Sequence, residues 1–224
     1  MITVILMMAG SSSRMSLNEN KLFLPLGDKL VFQHSLDLFL ENGFDVICVT
    51  KEEYINYLKD YTDKVKIVIG GNTRQESVYN GLVACDNEYV MIHDAARPFI
   101  SQRIIDDCKE AIKENKCFLV AKSSKDSVYV TKPFEAVNRD NIIMAQTPQG
   151  GLKSSLLNAH INANNDNFIS TDDISLLLKY SNEEIKIIDG DENNFKITTQ
   201  LDYILAKEMV KLWLELVMHG TLIN

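Results

Sequence analysis

Residues 45–50 read Asp45-Val46-Ile47-Cys48-Val49-Thr50, with apolar side chains in almost unbroken succession instead of alternating with polar ones. Strands that are covered on both faces have this pattern, and parallel sheets are built from such strands. Short apolar runs of the same kind recur along the chain and are separated by segments with helical spacing. The sequence therefore predicts an α/β fold with a mostly parallel central sheet and helices on both faces.

The other elements are predicted from the spacing of the apolar residues. Further strands are expected at Thr3–Met8, Val65–Ile69, Tyr89–Ile92, Cys117–Ala121 and Glu184–Ile188. Helices are expected at Val31–Glu41, Glu52–Asp60, Arg74–Ala84, Ile104–Glu114 and Gln200–Met218, the last with an apolar stripe for the core or for a second subunit. The polar segment at about 123–141 contains β-forming residues and Pro133, so it predicts a hairpin-like arm that projects from the sheet. We expect residues 1–224 to form a single domain.

The charge balance limits the possible partners. The 224 residues include 31 acidic and 23 basic side chains, which gives a formal net charge of −8 and a pI near 5.0. Binding to nucleic acid or to an anionic membrane needs a basic surface, so neither partner is expected. No apolar run reaches the roughly 18–20 residues of a membrane helix, and the N-terminus lacks a secretory signal. The expected location is the cytoplasm.

Four cysteines and four histidines are scattered along the chain. The cysteines form no Cys-x-x-Cys pair, so we expect reduced structural thiols rather than disulfides or metal ligands. The histidines are likewise too dispersed for a zinc site.

A loop of small residues follows the first predicted strand. It reads Met8-Ala9-Gly10-Ser11-Ser12-Ser13-Arg14-Met15, and Lys21 comes shortly after it. Ligands of open α/β sheets bind beyond the carboxyl ends of the strands, where backbone N–H groups and two cations can hold a phosphate. The alternative is an ordinary strand-to-helix turn with Arg14 and Lys21 in solvent. Neither GxxxxGK[ST] nor GxGxxG is present, which argues against a P-loop enzyme and an NAD-dependent dehydrogenase.

A glycine turn follows the strand Val65–Ile69 and opens the next helix. It reads Gly70-Gly71-Asn72-Thr73-Arg74-Gln75-Glu76-Ser77. Asn72 or Thr73 can cap the helix, whose N-terminal amides then face the same edge of the sheet. Backbone groups and Ser77 could hold a base or a ribose there, and the alternative is a helix start without a ligand.

An acidic residue follows the strand Tyr89–Ile92, in the run His93-Asp94-Ala95-Ala96-Arg97-Pro98. Mg²⁺ prefers one or two carboxylates together with substrate phosphates, so Asp94 is a candidate magnesium ligand. Arg97 could hold a phosphate oxygen, or it could pair with Asp94 and fix the loop. A buried carboxylate in this place must be paired, capped or metal-bound.

Each of three further runs, taken alone, can be explained without a ligand. They are Arg139 with Thr147-Pro148-Gln149-Gly150, then Ser170-Thr171-Asp172-Asp173, then Asn194-Phe195-Lys196-Ile197-Thr198. The second can cap a helix at Ile174–Tyr180, and the others suit turns or solvated charges.

Taken in order, these runs and the triplet Lys125-Asp126-Ser127 resemble the 2-C-methyl-D-erythritol 4-phosphate cytidylyltransferase family over nearly the whole chain. The resemblance implies a Rossmann-like nucleotidyltransferase fold in which the arm joins two subunits into a homodimer. It also implies transfer of CMP from CTP to 2-C-methyl-D-erythritol 4-phosphate, with release of pyrophosphate, in the non-mevalonate route to isoprenoid precursors. Mg²⁺ or another divalent cation is the implied cofactor.

The resemblance also assigns roles to individual residues. The catalytic ones are Arg14, Lys21, Arg139 and Lys196. The nucleotide-binding ones are Ala9, Gly10, Ser11, Gly70, Gly71, Arg74 and Ser77. The acceptor-binding ones are Arg97, Ser127, Thr147 and Thr171, and the metal ligand is Asp94. Arg139 would come from the arm of the neighbouring subunit, so the site would be complete only in the dimer.

Two alternatives stay open. A sister family that uses ribitol 5-phosphate shares the first loop, the His-Asp-Ala run and Thr147-Pro148-Gln149, although the second alanine at position 96 and the Ser170–Asp173 run favour methylerythritol phosphate. A non-catalytic nucleotide-binding module is the other alternative, since a fold alone does not fix function. The presence of Asp94 together with five candidate cations favours an enzyme; these are Arg14, Lys21, Arg97, Arg139 and Lys196.

Overall fold

A seven-stranded sheet lies at the centre of the molecule. The structure, a computed structural model, describes residues 1–10 and 19–218, of which 216–218 are described through their backbone only. The strands are β1 (Ile2–Met7), β2 (Pro25–Leu26), β3 (Lys29–Leu30), β4 (Asp45–Thr50), β5 (Val65–Ile69), β6 (Tyr89–Asp94), β7 (Cys117–Ser123), β8 (Val128–Thr131), β9 (Phe134–Val137), β10 (Ile143–Leu152) and β11 (Ile185–Asp189). The order across the central sheet is β11-β7-β10-β6-β1-β4-β5. Strand β10 runs antiparallel to β6 and β7, and the other neighbours in this sheet are parallel.

Helices connect these strands and cover both faces of the sheet. They are α1 (Val31–Glu41), α2 (Arg74–Ala84), α3 (Gln102–Lys113), α4 (Lys153–Asn165), α5 (Asp173–Tyr180) and α6 (Gln200–Met218), with 3-10 helices at Lys21–Phe23, Glu52–Tyr61 and Arg139–Asn141. Within residues 1–10 and 19–218, none of the helices has the length and apolar character needed to span a bilayer. The α/β fold predicted from the sequence is confirmed.

The unbroken apolar run of β4 has a direct structural cause. Val46 and Cys48 belong to one buried core, which includes side chains of α1 and α3, whereas Ile47 and Val49 belong to a second core with side chains of α2, α4 and α5. Both faces of the strand are therefore withdrawn from water, and neither face needs polar residues. All four cysteines are free and buried. Burial raises the pKa of the Cys48 thiol to about 12.

Strand β10 differs from the sequence prediction. The interpretation of Thr147-Pro148-Gln149-Gly150 as a turn or solvated segment is wrong, because these residues lie buried inside β10. Proline and glycine are typical turn residues, and proline has no N–H for strand pairing. The pairing of β10 with β7 is irregular between Ala145 and Gln149, which is where the missing N–H of Pro148 falls. The strand accommodates its proline at this irregularity.

The other predicted elements agree with the structure, and their ends differ by at most two residues. The helix expected at Glu52–Asp60 is a 3-10 helix at Glu52–Tyr61, and α4 was not predicted. The predicted cap before Ile174–Tyr180 is observed, since the Asp172 carboxylate accepts a hydrogen bond from the Ser175 N–H.

Gly150 allows β10 to lie close against β6. A Cβ atom at this position would lie 2.2 Å from the Val90 carbonyl oxygen and 2.8 Å from Cζ of Phe118. Side chains do not approach backbone atoms so closely, so glycine alone fits here. The close approach brings the preceding residues of β10, among them Thr147, to the carboxyl end of β6.

A buried polar bridge joins β6 to β10 at this end. The Asp94 N–H donates to the Thr147 hydroxyl at 3.1 Å, and that hydroxyl lies 3.1 Å from His93 Nδ1. His93 Nε2 lies 3.2 Å from the Arg97 carbonyl oxygen. A neutral imidazole protonated on Nε2 satisfies both contacts, because it donates to the carbonyl and accepts from the hydroxyl. Burial lowers the pKa of His93 to about 4, which favours this neutral form.

A hairpin occupies the segment in which the sequence predicts an arm. Strands β8 and β9 pair antiparallel, outside the central sheet. The rings of Tyr129 and Phe134 stack with centroids 5.4 Å apart, and these side chains are 53% and 77% exposed. The arm therefore presents an apolar surface to its surroundings.

Replacing Gly150 with alanine should destabilise the fold. We expect the free energy of unfolding, measured by urea denaturation, to fall by about 2 kcal/mol, because overpacking typically costs about 1–3 kcal/mol. Met144→Ala is the control, since the Met144 side chain on the same strand is 49% exposed. Its free energy of unfolding should change by less than about 0.5 kcal/mol. Equal effects of the two substitutions would contradict the close approach of β10 to β6.

The stability of the fold should depend on His93 between pH 6.5 and about 4. In this range the unfolded chain binds a proton that the folded protein does not, because burial holds the folded pKa below the unfolded one. The contribution of neutral His93 is therefore complete above the unfolded pKa and is lost as the pH falls, by up to about 1.4 kcal/mol per pH unit. Urea denaturation across this range should show a shallower pH dependence for His93→Gln than for the wild type. Identical slopes would contradict the buried neutral imidazole.

Candidate active site

A cleft of about 530 Å³ opens at the carboxyl ends of β1, β4, β5 and β6. In open α/β sheets, ligands bind at this edge, between the two neighbouring strands whose connections lead toward opposite sides of the sheet. Here these two strands are β1 and β6. The cleft is lined by Met7, Ala9, Gly10, Lys21, Leu22, Lys51, Gly71, Asn72, Thr73, Arg74, Ser77, Asp94, Ala96 and Lys196. The structure thus brings together these residues of the predicted site: Ala9, Gly10, Lys21, Gly71, Arg74, Ser77, Asp94 and Lys196.

The Asp94 carboxylate lies among three cations. Lys196 Nζ donates to its Oδ2 atom at 2.8 Å, and Arg97 Nε lies 4.0 Å from the same oxygen. Arg74 Nε lies 3.8 Å from the other oxygen, Oδ1. Burial alone would raise the pKa of Asp94, but the three cations, Lys196 foremost, outweigh burial and hold that pKa well below its ordinary range. Asp94 is therefore a buried but ionised carboxylate.

Arg74 bridges two acidic residues. Its Nη2 atom donates to Asp173 Oδ2 at 2.8 Å, while its Nε atom faces Asp94. The Asp173 side chain is 1% exposed and also lies 3.3 Å from His160 Nε2. Arg74, for which the sequence predicts a nucleotide contact, is thus held between the end of β6 and the start of α5.

The segment before α6 carries Lys196 into the cleft. Arg97 Nη1 donates to the Asn194 carbonyl oxygen at 2.7 Å, and the Ile197 N–H donates to the Ala96 carbonyl oxygen at 2.8 Å. These bonds fix the backbone on both sides of Lys196. The Arg97 side chain is only 12% exposed, so in the single chain it holds this segment in place.

Lys21 reaches the cleft from a 3-10 helix that is anchored at both ends. Before it, Asn20 Nδ2 donates to the Gly10 carbonyl oxygen at 3.1 Å. At its last residue, the buried Phe23 ring stacks on Tyr57 with centroids 3.8 Å apart. Gly10 and the Lys21 segment are therefore held next to each other.

The glycine turn after β5 is held by Ser77. The Ser77 hydroxyl accepts a hydrogen bond from the Gly71 N–H at 3.0 Å and donates to the Thr73 carbonyl oxygen at 2.8 Å. Thr73 is the N-cap of α2, in agreement with one of the two caps predicted. A Cβ atom at Gly70 would lie 2.6 Å from the Ala9 Cβ atom, so a glycine is required where the turn meets the first loop. This turn and the residues Ala9 and Gly10 together form one wall of the cleft.

Other residues of the predicted site lie elsewhere in the single chain. Arg139 and Ser127 are exposed on the arm and do not line the cleft. Thr171 is exposed in the turn before α5. Ser11 and Arg14 lie outside the described residues.

Thr147, for which the sequence predicts contact with the acceptor, is 3% exposed. Its hydroxyl is already engaged with His93 and with the backbone N–H of Asp94. The geometry therefore gives Thr147 a role in fixing the end of β6.

Sequence reasoning missed three residues at or behind the cleft: Lys51, Asp173 and His160. Lys51 directly follows β4, and a cation at the carboxyl end of a predicted parallel strand is a signal that could have identified it. Asp173 lies in the Ser170–Asp173 run, but no local pattern indicates its contact with Arg74, because the two residues are 99 positions apart.

The arrangement suits a ligand that carries several phosphate groups and a divalent cation. Lys21, Lys51 and Lys196 line the cleft, and the N-terminus of α2 opens toward it. Ammonium groups and helix N-termini bind phosphate oxygens, and a carboxylate next to phosphates can hold Mg²⁺.

Comparison with known proteins identifies one family over nearly the whole chain. A family model described as IspD, 2-C-methyl-D-erythritol 4-phosphate cytidylyltransferase, matches residues 2–212. A protein of that name from Clostridioides difficile is 34% identical over 225 residues, which cover 95% of this chain and 94% of the relative. Another from Fusobacterium nucleatum is 39% identical over 224 residues, which cover 92% of this chain and 95% of the relative.

Solved structures agree with the fold. The crystal structure of 4-diphosphocytidyl-2C-methyl-D-erythritol synthase from Anaerococcus prevotii has a TM-score of 0.83 at 29% identity and covers 94% of this chain and 98% of that one. The structure of 2-C-methyl-D-erythritol 4-phosphate cytidylyltransferase from Francisella tularensis has a TM-score of 0.78 at 30% identity, over 92% of this chain and 98% of that one. The chain therefore belongs to the 2-C-methyl-D-erythritol 4-phosphate cytidylyltransferase family and has its Rossmann-like nucleotidyltransferase fold.

Proposed function

We propose that the protein transfers CMP from CTP to 2-C-methyl-D-erythritol 4-phosphate and releases pyrophosphate. The observation that carries the proposal is the ionised Asp94, paired with Lys196, in a cleft that Lys21 also enters. The relatives that carry the name of this activity align with nearly all of the chain. The product would serve the synthesis of isoprenoid precursors.

The reaction makes little demand on acid–base chemistry. The acceptor phosphate is already anionic at neutral pH, and one of its oxygens attacks the α-phosphorus of CTP. The bond from that phosphorus to the oxygen bridging to the β-phosphate breaks, and pyrophosphate leaves with the bonding electrons. No proton has to be transferred, so the protein contributes alignment and positive charge. Lys21 and Lys196 stabilise the negative charge that develops on the phosphate oxygens.

The wall formed by Ala9, Gly10 and the glycine turn would receive the nucleoside. Ala9, Gly10 and Gly71 line this side of the cleft and present backbone groups there. Hydrogen bonds from backbone N–H and C=O groups can select a base and a ribose without charged side chains. Ser77 and Gly70 support the wall by fixing the turn.

We further propose that Asp94 holds Mg²⁺ together with the phosphates of CTP. In the described part of the chain, no group of three or more His, Cys, Asp or Glu side chains could cage a metal, which suits an ion bound largely by its substrate. Oδ1 of Asp94 lies 3.8 Å from Arg74, beyond hydrogen-bond distance, so this oxygen can serve as a ligand. When bound, Mg²⁺ offsets negative charge on the phosphate oxygens.

The arm would complete the acceptor side of the site in a second subunit. Its exposed Tyr129 and Phe134 rings form the kind of apolar surface that is usually covered by a partner. Arg139 and Ser127 are exposed on the same arm, so a two-fold dimer could place them at the partner's cleft. Thr171 would contact the acceptor from the turn before α5. The expected location of this dimer is the cytoplasm.

A pyrophosphate-release assay over a panel of nucleotides and polyol phosphates tests the proposed activity. We expect the highest kcat/KM with CTP and 2-C-methyl-D-erythritol 4-phosphate, loss of activity with EDTA, and recovery when Mg²⁺ is added back. Activity with ribitol 5-phosphate alone would assign a different acceptor. CTP binding without pyrophosphate release from any pair would indicate a nucleotide-binding module.

Lys196→Met should lower kcat by about 100-fold, because it removes a positive charge from the place where charge develops. Lys186→Met is a matched control, since the Lys186 and Lys196 side chains are both 33% exposed and both pair with a carboxylate, Glu114 and Asp94 respectively. Lys186 lies outside the cleft, and its substitution should leave kcat unchanged. Similar losses in the two variants would contradict the role of Lys196.

Arg139→Ala and Lys196→Met should complement each other if the arm serves the neighbouring cleft. Each variant alone should be folded but nearly inactive. In an equal mixture after subunit exchange, half of the dimers carry both variants, and each mixed dimer has one intact site, so roughly a quarter of the wild-type activity should return. Size-exclusion chromatography checks the dimer. Wild-type turnover by Arg139→Ala, or a mixture that stays inactive despite exchange, would contradict the shared site.

A further inference from the structure

Arg74 lies next to Asp94 but does not form a short ion pair with it. Arg74 Nε is 3.8 Å from Asp94 Oδ1, whereas Arg74 Nη2 is 2.8 Å from Asp173 Oδ2. Arginine tends to pair with a carboxylate through two short, parallel hydrogen bonds. The contact between Arg74 and Asp94 is therefore looser than the pair that these two groups would form by themselves.

Asp173 provides the restraint that holds Arg74 back. Its side chain is 1% exposed, and Oδ1 lies 3.3 Å from Nε2 of the equally buried His160. Its backbone N–H donates to Gln149 Oε1 at 3.1 Å. If Arg74 moved fully onto Asp94, Asp173 would keep a buried charge with its main partner removed, which is strongly unfavourable. Asp173 thus acts as a fixed anchor for the guanidinium.

We propose that Asp173, supported by His160, is a positioning residue that holds Arg74 away from Asp94 and so keeps Oδ1 of Asp94 open to the metal–nucleotide complex. The inference rests on the proposed function, in which Asp94 is the magnesium ligand. It gives a positioning role to two side chains that do not line the cleft.

The charges around Arg74 indicate what happens without the anchor. Within residues 1–10 and 19–215, Asp94 and Asp173 are the two carboxylates with an oxygen within 4.0 Å of an Arg74 nitrogen. Removing the charge of Asp173 leaves Asp94 as the remaining carboxylate within 4.0 Å of Arg74, whose side chain is 30% exposed. Arg74 would then form the close pair with Asp94 and compete with a metal ion for Oδ1.

Asp173→Asn tests this competition, because it keeps the shape of the side chain and one oxygen while it removes the charge. The readout is binding of Mn²⁺ in the presence of CTP. It is measured through the electron paramagnetic resonance signal of free Mn²⁺ and requires no turnover. We expect the apparent affinity to weaken about tenfold, as outer-shell substitutions at metal sites typically do. In the steady state the KM for the metal–CTP complex should rise more than kcat falls.

The double variant Asp173→Asn, Arg74→Gln distinguishes positioning from a merely structural role. It removes the competing guanidinium, so we expect Mn²⁺ to bind more tightly than in Asp173→Asn alone, a non-additive effect that general loosening of α5 would not produce. Wild-type affinity in Asp173→Asn, or no recovery in the double variant, would overturn the inference.

His160→Gln provides a second route to the same test if Asp173→Asn does not fold, as judged by thermal melting. It loosens the anchor without removing the charge, and we expect a smaller loss of Mn²⁺ affinity in the same direction. An unchanged affinity in folded His160→Gln would overturn the support from His160. Wild-type protein that neither binds Mn²⁺ with CTP nor releases pyrophosphate would overturn the proposed function itself, so the two failures are distinguishable.

Discussion

The cleft depends on one buried negative charge, the carboxylate of Asp94 at the end of β6. Removing a charge from water is costly unless partners compensate for it. The compensation comes from Arg74 at the start of α2, Arg97 in the loop after β6 and Lys196 in the segment before α6. Because each cation lies on a different part of the chain, the position of each part relative to the sheet is tied to the same carboxylate. The charge organises the site before any ligand is present.

The acidic composition of the protein and the basic character of its cleft are compatible. The net charge of −8 describes the chain as a whole, whereas a ligand inside a cleft experiences the nearby groups. There the described cations outnumber the carboxylates: Lys21, Lys51, Lys196 and Arg74 line the cleft with Asp94. A polyphosphate can therefore be attracted locally by a protein whose overall charge disfavours nucleic acids.

The sequence predicts those parts of the site that follow from strand ends. The apolar run of β4 indicates a buried parallel strand, and the rule that ligands bind at carboxyl ends then points to Gly10, Gly71 and Asp94. Strand β10 escapes prediction because Pro148 and Gly150 are typical turn residues. The close approach to Val90 explains the place of Gly150 in the sheet, and the irregular pairing with β7 accommodates Pro148.

Long-range contacts and subunit contacts cannot be predicted from local sequence patterns. The pairing of Arg74 with Asp173 depends on how α2 and α5 are placed in three dimensions, and no local pattern encodes it. The roles of Arg139 and Ser127 depend on a second subunit and stay predictions. Ser11 and Arg14 lie outside the described residues, so their roles also stay predictions.

The ion pairs of the cleft join distant parts of the chain, since Arg74 and Asp173 are 99 positions apart and Asp94 and Lys196 are 102 positions apart. Contacts across such separations form late, because the intervening chain must first be ordered. During synthesis, the ribosome releases β1, β4, β5 and β6 well before α5 and the Lys196 segment. An incomplete chain can therefore contain the four strands at one end of the sheet while Arg74 and Asp94 each lack a partner. Ligand binding at this edge therefore requires the finished polypeptide. Complete molecules can bind the ligand, and truncated ones cannot.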